Sequence, residues 1–172
     1  MASGFIPPPM PDRRSLYIGR SGELAVLSEF LSRGYNAATP EIDIGEDVFV
    51  IEDGEEGYWP VQVKTATAEE LHDGSCRAQF TFRRDQLVRI PNVELTYILA
   101  LRRNHRWSSF LIIPRANMNE LYELGHLGAQ RGEVLTWEFV YEDSTRRSQR
   151  ADLTLFESNW ETQWPSILDK AT

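Results

Sequence analysis

The sequence has few lysines, a single cysteine and no long apolar run. Of its 18 basic residues only Lys64 and Lys170 are lysines, and the rest are arginines. The lone Cys76 excludes an internal disulfide and any zinc site built from several cysteines, and it fits a reducing, cytoplasmic location. Because no stretch approaches the ~18 consecutive apolar residues that a membrane span needs, we expect no membrane-spanning helix.

The length and composition predict one globular domain. The chain has 172 residues, of which 41% are hydrophobic, which suffices for a core of ordinary size. We assign residues 15–172 to this domain. Residues 1–14 contain Pro7, Pro8, Pro9 and Pro11, so we expect a flexible, proline-rich arm without the apolar segment of a secretory signal.

The net charge of −8 arises in one acidic stretch. Glu41–Gly57 holds eight acids and no base, whereas the rest of the chain has 18 acids and 18 bases. A bound divalent cation would offset the charge of the first half of this stretch. The second half, Glu52–Glu56, is a predicted turn about 17 Å from Asp47, farther than the Debye length of about 8 Å. The simpler alternative is a solvated acidic loop.

The residue patterns predict alternating helices and strands. Leu24, Leu27 and Leu31 recur at helical spacing, so we expect a helix over Ser15–Arg33. We expect strands at Tyr35–Thr39, Glu46–Glu52, Tyr58–Thr65, Cys76–Phe82, Leu95–Leu101 and Trp107–Ile113 and, as edge strands around a polar loop at Glu142–Arg150, at Val134–Tyr141 and Asp152–Phe156. We expect shorter helices at Arg84–Val88, Asn117–Leu124 and Asn159–Leu168.

The hairpin around Asp53–Gly57 brings polar groups together. Counting back from this turn, Asp47 falls opposite Gln62, within about one residue. Gln62 and Lys64 are two residues apart and share a face of their strand. The hairpin alone therefore predicts a carboxylate, an amide and an ammonium side by side.

These groups suit phosphodiester hydrolysis with a divalent metal. Mg²⁺, or Mn²⁺ in its place, takes oxygen ligands, and Asp47, the side chain of Gln62 and the backbone carbonyl of Val63 could supply three. Lys64 could orient the attacking water or stabilise the developing charge. Glu23 on the first helix could complete the site through a water or a second metal.

Four segments resemble the PD-(D/E)xK nuclease superfamily. They are Gly19-Arg-Ser-Gly-Glu-Leu-Ala25, Gly34-Tyr35, Pro40-Glu-Ile-Asp-Ile-Gly-Glu-Asp47 and Val61-Gln-Val-Lys-Thr65. The chain is most similar to small bacterial members of unknown function that carry a Q-x-K variant. The resemblance covers Ser15–Thr65 and, more loosely, Phe80–Arg115.

The resemblance implies an α/β fold of restriction-endonuclease-like type, with a mixed central β-sheet flanked by helices. It implies a metal-dependent endonuclease that acts on nucleic acid, with DNA as the expected substrate. By this resemblance Glu23 matches the helix acid, Asp47 the metal-binding aspartate, Gln62 the usual glutamate or aspartate, and Lys64 the motif lysine. A homodimer would allow cleavage of two strands.

Gln62 departs from the superfamily pattern, because an amide binds Mg²⁺ less strongly than a carboxylate. A non-catalytic nuclease-fold module that binds nucleic acid or protein is therefore the rival hypothesis. A nuclease subunit that needs a targeting partner is a third. The metal-binding acid is also open: Asp47 is preferred because it begins the strand opposite Gln62, Asp43 is second and Glu41 third.

Arginines outside the hairpin are candidates for contact with nucleic-acid phosphates. They lie in two groups, one at a predicted hairpin turn beside Trp107 and one in the predicted polar loop: Arg102, Arg103 and Arg106, and Arg146 and Arg147. Solvated turns are the simpler alternative for both groups.

Overall fold

The fold begins with a long helix on one face of a mixed sheet. A computed structural model describes residues 12–42, 45–51, 57–89, 92–142, 145–148, 151–158 and 160. Helix α1 spans Arg13–Ser32 and ends where Gly34 adopts a positive φ of 85°, a conformation that glycine adopts without steric cost. The helix includes Arg13 and Arg14, which the proline-rich composition had assigned to the arm. The arm's residues 1–11 lie outside the described part.

The first sheet has five strands in the order β1-β2-β3-β6-β7. Its strands are β1 (Asn36–Ala38), β2 (Val48–Ile51), β3 (Tyr58–Thr67), β6 (Thr96–Arg103) and β7 (Arg106–Pro114). The β3–β6 pair is parallel and the other pairs are antiparallel, so the sheet is mixed, as predicted. The expected turn at Glu52–Glu56 lies outside the described residues.

The second sheet is antiparallel throughout and has the order β11-β10-β9-β5-β4, with β8 paired to β9. Its strands are β4 (Glu69–Glu70), β5 (Cys76–Arg83), β8 (Ala129–Arg131), β9 (Val134–Glu142), β10 (Thr145–Ser148) and β11 (Ala151–Asp152). Two short helices connect the sheets, α2 (Arg84–Val88) and α3 (Arg115–Glu123).

Each face of the first sheet is covered by a different layer. On one face Val61 and Val63 pack with Val26 and Phe30 of α1. On the other face Tyr97 and further residues of β6 and β7 pack against the second sheet. Residues of β3 therefore lie between two apolar layers, and alternation along the strand decides which layer each side chain meets.

Three predictions for the C-terminal part are wrong. β9 is an interior strand between β5 and β10, not an edge strand. The expected polar loop contains β10. Of the last predicted strand, Asp152–Phe156, only Asp152 belongs to a strand, β11 (Ala151–Asp152), and Thr154–Phe156 is a 3-10 turn. Of the predicted closing helix only Trp160 is described, and it is buried against Phe30 and Phe110.

Among the described helices none combines the length and the hydrophobicity that spanning a membrane requires.

Candidate active site

The candidate site lies where β2 ends and β3 continues, paired with β6 alone among the described strands. The hairpin register ends where Val48 pairs with Val61, and the N–H of the preceding Asp47 donates to the carbonyl of the same Val61 at 2.9 Å. Asp47 therefore lies next to Val61, one residue from Gln62, which is within the margin of the turn count. From Gln62 onward β3 keeps its ladder with β6 but not with β2.

The Asp47 carboxylate takes the place of the missing strand partner. Its Oδ2 accepts a hydrogen bond from the Val63 N–H at 2.7 Å. Because the N–H and C=O of a strand residue point to the same side, the Val63 carbonyl also points to the side of β3 where Asp47 lies. A carboxylate and a backbone carbonyl thus face the same gap.

The Gln62 side chain is buried and only partly satisfied. It is 4% exposed, and its Nε2 donates to the Gly45 carbonyl at 2.9 Å. Its Oε1 has no hydrogen-bond partner in the part of the chain that the structure describes. An unpaired buried acceptor costs about 1–3 kcal/mol, and a ligand that accepts the oxygen's lone pair would recover this cost.

The donors at this gap fit a hard divalent cation. The gap holds oxygens of Asp47 and Val63, and the Gln62 side chain extends from the residue that precedes Val63 on β3. Mg²⁺ is commonly held by one or two carboxylates with further ligands from water and substrate. No group of three or more His, Cys, Asp or Glu side chains forms within the described residues. Asp43, the alternative acid, lies outside them, and Glu41 is exposed.

Lys64 follows on the same strand face as Gln62. It is partly buried, and its register partner on β6 is Leu99. Next to this pair, Gln62 is in register with Tyr97. Burial raises the pKa of Tyr97 to about 12, with the positive charge of Arg115 acting in the opposite direction. Tyr97 therefore stays a neutral phenol beside the site at neutral pH.

Glu23 lies in the layer on the other side of the sheet from the Gln62 side chain. Its helix packs on the face of β3 that bears Val63 and Thr65. The Glu23 carboxylate forms an ion pair with Arg20 at 2.6 Å and is 23% exposed. The structure thus brings Asp47, Gln62 and Val63 together and gives Glu23 a different partner.

A cleft of about 460 Å³ adjoins the site on the Gln62 side, a feature that the sequence analysis missed. Arg115 lines it but is itself buried, with its guanidinium held by the Leu87 carbonyl and by Glu94. Arg89 also lines it. The sequence carries no local signal for this cleft, because its walls come from separate segments.

The candidate phosphate-contacting arginines differ in their surroundings. Arg103 pairs with Glu70 at 3.2 Å, whereas Arg102 lies 3.1 Å from His105 Nδ1. Arg106 is exposed. The backbone at Arg146 and Arg147 belongs to β10, and their side chains lie outside the described part.

Comparisons with known proteins identify the type of fold. Neither a protein-family profile nor a curated protein matches the sequence. Among solved structures the chain is similar to the bacterial homing endonuclease I-Ssp6803I, with a TM-score of 0.55 and 17% identity over 91% of this chain and 92% of that chain. The chain has a restriction-endonuclease-like fold. The predicted fold class is thereby confirmed.

A weaker similarity is to Hjc, a Holliday junction resolvase from Archaeoglobus fulgidus. Its TM-score is 0.42, with 14% identity over 69% of this chain and 81% of that chain.

Proposed function

We propose that this chain is a divalent-metal-dependent endonuclease that hydrolyses phosphodiester bonds of nucleic acid, with DNA as its substrate. The observation that carries the proposal is the buried Gln62 Oε1, which lacks a partner among the described residues. Gln62 precedes Val63, whose N–H binds the Asp47 carboxylate, on a restriction-endonuclease-like fold. A buried polar atom without a partner calls for an explanation, and a bound ion is one. The nuclease activity of the homing endonuclease, as named, supports the same reaction class.

In this proposal Asp47, Gln62 Oε1 and the Val63 carbonyl hold Mg²⁺ or Mn²⁺. The bound ion would acidify a water and neutralise charge on the phosphate. The Val63 N–H fixes one carboxylate oxygen of Asp47, and the Gly45 carbonyl fixes the Gln62 amide. These hydrogen bonds orient both side chains before any ligand arrives, which lowers the cost of binding.

Lys64 is the residue that we assign to the chemistry itself. From the strand face of Gln62 its ammonium would orient the attacking water and stabilise negative charge on the phosphate. The chain otherwise uses arginine for almost all of its positive charge. A lysine ammonium is a compact point charge, whereas the arginine guanidinium is a planar group that cannot replace it in this role. A role for Glu23 as a completing ligand stays a prediction, as do a cytoplasmic location and a homodimer.

The rival function is a nuclease-fold module without catalysis. One observation favours it: Asp47 and Gln62 each make a hydrogen bond that ties the chain before β2 to β3. A purely structural role would need no metal. A subunit that cuts only with a targeting partner remains a further alternative.

The decisive experiment compares Lys64→Ala with the wild type and with Lys170→Ala, the variant of the other lysine. Each protein is incubated with supercoiled, linear, single-stranded and branched DNA in Mg²⁺ or Mn²⁺. We expect cleavage by the wild type and by Lys170→Ala, and a loss of about 10²–10³-fold in Lys64→Ala, the usual cost of one charge-stabilising group. Equal cleavage by all three proteins, or none with either metal, would contradict the proposal.

A further inference from the structure

A second cleft lies at the N-terminal end of α1, apart from the Gln62 side of the sheet. It has a volume of about 550 Å³ and is lined by Arg14, Tyr17, Ile18, Ser21, Arg102 and His105. Its walls are the N-terminal turns of α1 and the turn between β6 and β7. Two arginines far apart in the sequence therefore face one opening.

The arginines of this cleft differ from their neighbours in having no carboxylate partner among the described residues. Arg20 pairs with Glu23 and Arg103 pairs with Glu70. Across the same part of the chain neither Arg14 nor Arg102 forms an ion pair. The first turn of α1 contains Arg13 and Arg14 and no acid, and Asp12 precedes it as the N-cap. In a chain with a net charge of −8, the cleft is a local concentration of positive charge, which attracts anions.

The tight turn that follows β6 restricts the side chain of Arg102. Asn104 and His105 both adopt positive φ, 49° and 62°, as in the tight turns that join neighbouring antiparallel strands. This conformation puts His105 Nδ1 3.1 Å from the Arg102 guanidinium. The contact restricts the arginine, so less conformational entropy is lost when it binds a ligand.

The cleft also offers an aromatic surface. Tyr17 is 67% exposed, and Ile18 lies beside it. An exposed aromatic ring with arginines close by is the combination that contacts bases and sugars together with phosphates. An isolated inorganic anion would use only the arginines.

The position of the cleft relates it to the candidate active site. Arg102 is in register with Thr67, three residues beyond Lys64 on β3, or about 10 Å along the strand. Thr67 and Arg102 lie on the face of the sheet that α1 covers, whereas Lys64 lies on the opposite face. A nucleic acid that contacts both Arg102 and Lys64 would therefore have to pass around the C-terminal ends of β3 and β6.

We propose that this cleft binds the phosphate backbone of the nucleic-acid substrate, with Arg14 and Arg102 each contacting a phosphate and Tyr17 contacting an adjacent sugar or base. The identity of the ligand rests on the proposed function. The two arginines are positioning residues that bind the substrate without taking part in bond cleavage.

Binding of a fluorescently labelled DNA duplex, measured at several salt concentrations with EDTA present, tests the proposal. The double variant Arg14→Ala/Arg102→Ala removes both charges, and Arg14→Lys/Arg102→Lys retains them. The control Arg77→Ala removes an arginine that pairs with Glu69 on the second sheet. Thermal unfolding of each variant verifies that it is folded.

We expect the slope of log K against log salt concentration to fall in magnitude by about two for the double alanine variant, because each lost phosphate contact lowers it by about one. The lysine variant and Arg77→Ala should keep the wild-type slope. A wild-type slope in the double alanine variant, an equal fall in Arg77→Ala, or no binding by the wild type would overturn the proposal.

The outcome is separable from the proposed catalysis, because EDTA prevents metal-dependent cleavage. If the double alanine variant shows the expected change in salt slope but the wild type cuts no DNA, the cleft proposal stands and the endonuclease proposal fails. If cleavage depends on Lys64 but the salt slope of the double alanine variant is unchanged, the endonuclease proposal stands and the cleft proposal fails.

Discussion

Strands β3 and β5 lie in different sheets and differ in where they place their polar residues. β5 pairs with β9 along its whole length, and its residues alternate between buried and outward positions. In β3 the residues from Pro60 to Val63 are all buried, because both faces of the sheet are covered. A strand in that position usually consists of apolar residues, yet β3 carries Gln62.

The difference indicates where the chain accepts a cost in stability. An outward polar side chain on β5, such as Gln79, is exposed to water, whereas Gln62 is buried with an oxygen that no described residue pairs. Burying an unsatisfied polar group is unfavourable, so such a residue is expected where binding or chemistry uses it. Three sets of substitutions test this contrast, and they follow in order of decreasing expected effect.

The largest effect is expected from Phe80→Ala in β5. Phe80 is 1% exposed and stacks on Phe139, with ring centroids 5.4 Å apart. Removing a buried phenylalanine costs about 3–5 kcal/mol of unfolding free energy, which urea unfolding would measure. Mn²⁺ affinity of the folded variant should equal that of the wild type. If the Mn²⁺ affinity also fell at least tenfold, the idea that β5 contributes only to stability while β3 binds the metal would be wrong.

A smaller effect is expected where α1 meets β3. A Cβ on Gly22 would lie 2.3 Å from Thr65 Cγ2 and 3.0 Å from Trp107 Cη2, whereas a Cβ on Gly19 would meet nothing within 4 Å. Gly22→Ala should therefore destabilise the fold by about 1–3 kcal/mol through overpacking.

Gly19→Ala is the matched control on the same helix. It should stabilise the fold by up to about 1 kcal/mol, because alanine favours helix. Chemical denaturation of both variants would measure the difference. Stabilisation by both substitutions would show that α1 does not pack this closely on β3.

The sequence predicts the proximity of Asp47 and Gln62 because the two residues belong to one hairpin. A turn signal and strand alternation therefore suffice to put them within about one residue of each other. The mixed sheet and its helix followed from the same patterns together with the superfamily resemblance. The roles of these residues in catalysis remain predictions.

The parts that could not be predicted depend on contacts between distant segments. The segment that contains β10 is polar throughout, and it pairs with β9 without an apolar pattern that would indicate a strand. Likewise, Arg14 and Arg102 line one cleft only because α1 extends to the β6–β7 turn. The partner of Glu23 is a third case, since helix periodicity puts the acid near the sheet but does not distinguish Arg20 from a metal.

The smallest effect on stability, and the one that bears most directly on β3, is expected from Gln62→Leu, whereas Gln62→Glu should destabilise the metal-free protein more. Leucine removes the unpaired oxygen and also the bond to the Gly45 carbonyl, so stability should change by no more than about 1 kcal/mol. Glutamate offers a charged oxygen for the metal but buries that charge in its absence.

Calorimetric titration of these two variants with Mn²⁺ separates a ligand from a structural amide. The affinity should be about tenfold higher than wild type for Gln62→Glu and about tenfold lower for Gln62→Leu, a difference of about 1.4 kcal/mol in each direction. Unchanged Mn²⁺ affinity in both variants would mean that Gln62 is not a ligand, and the unsatisfied oxygen in β3 would then need another explanation.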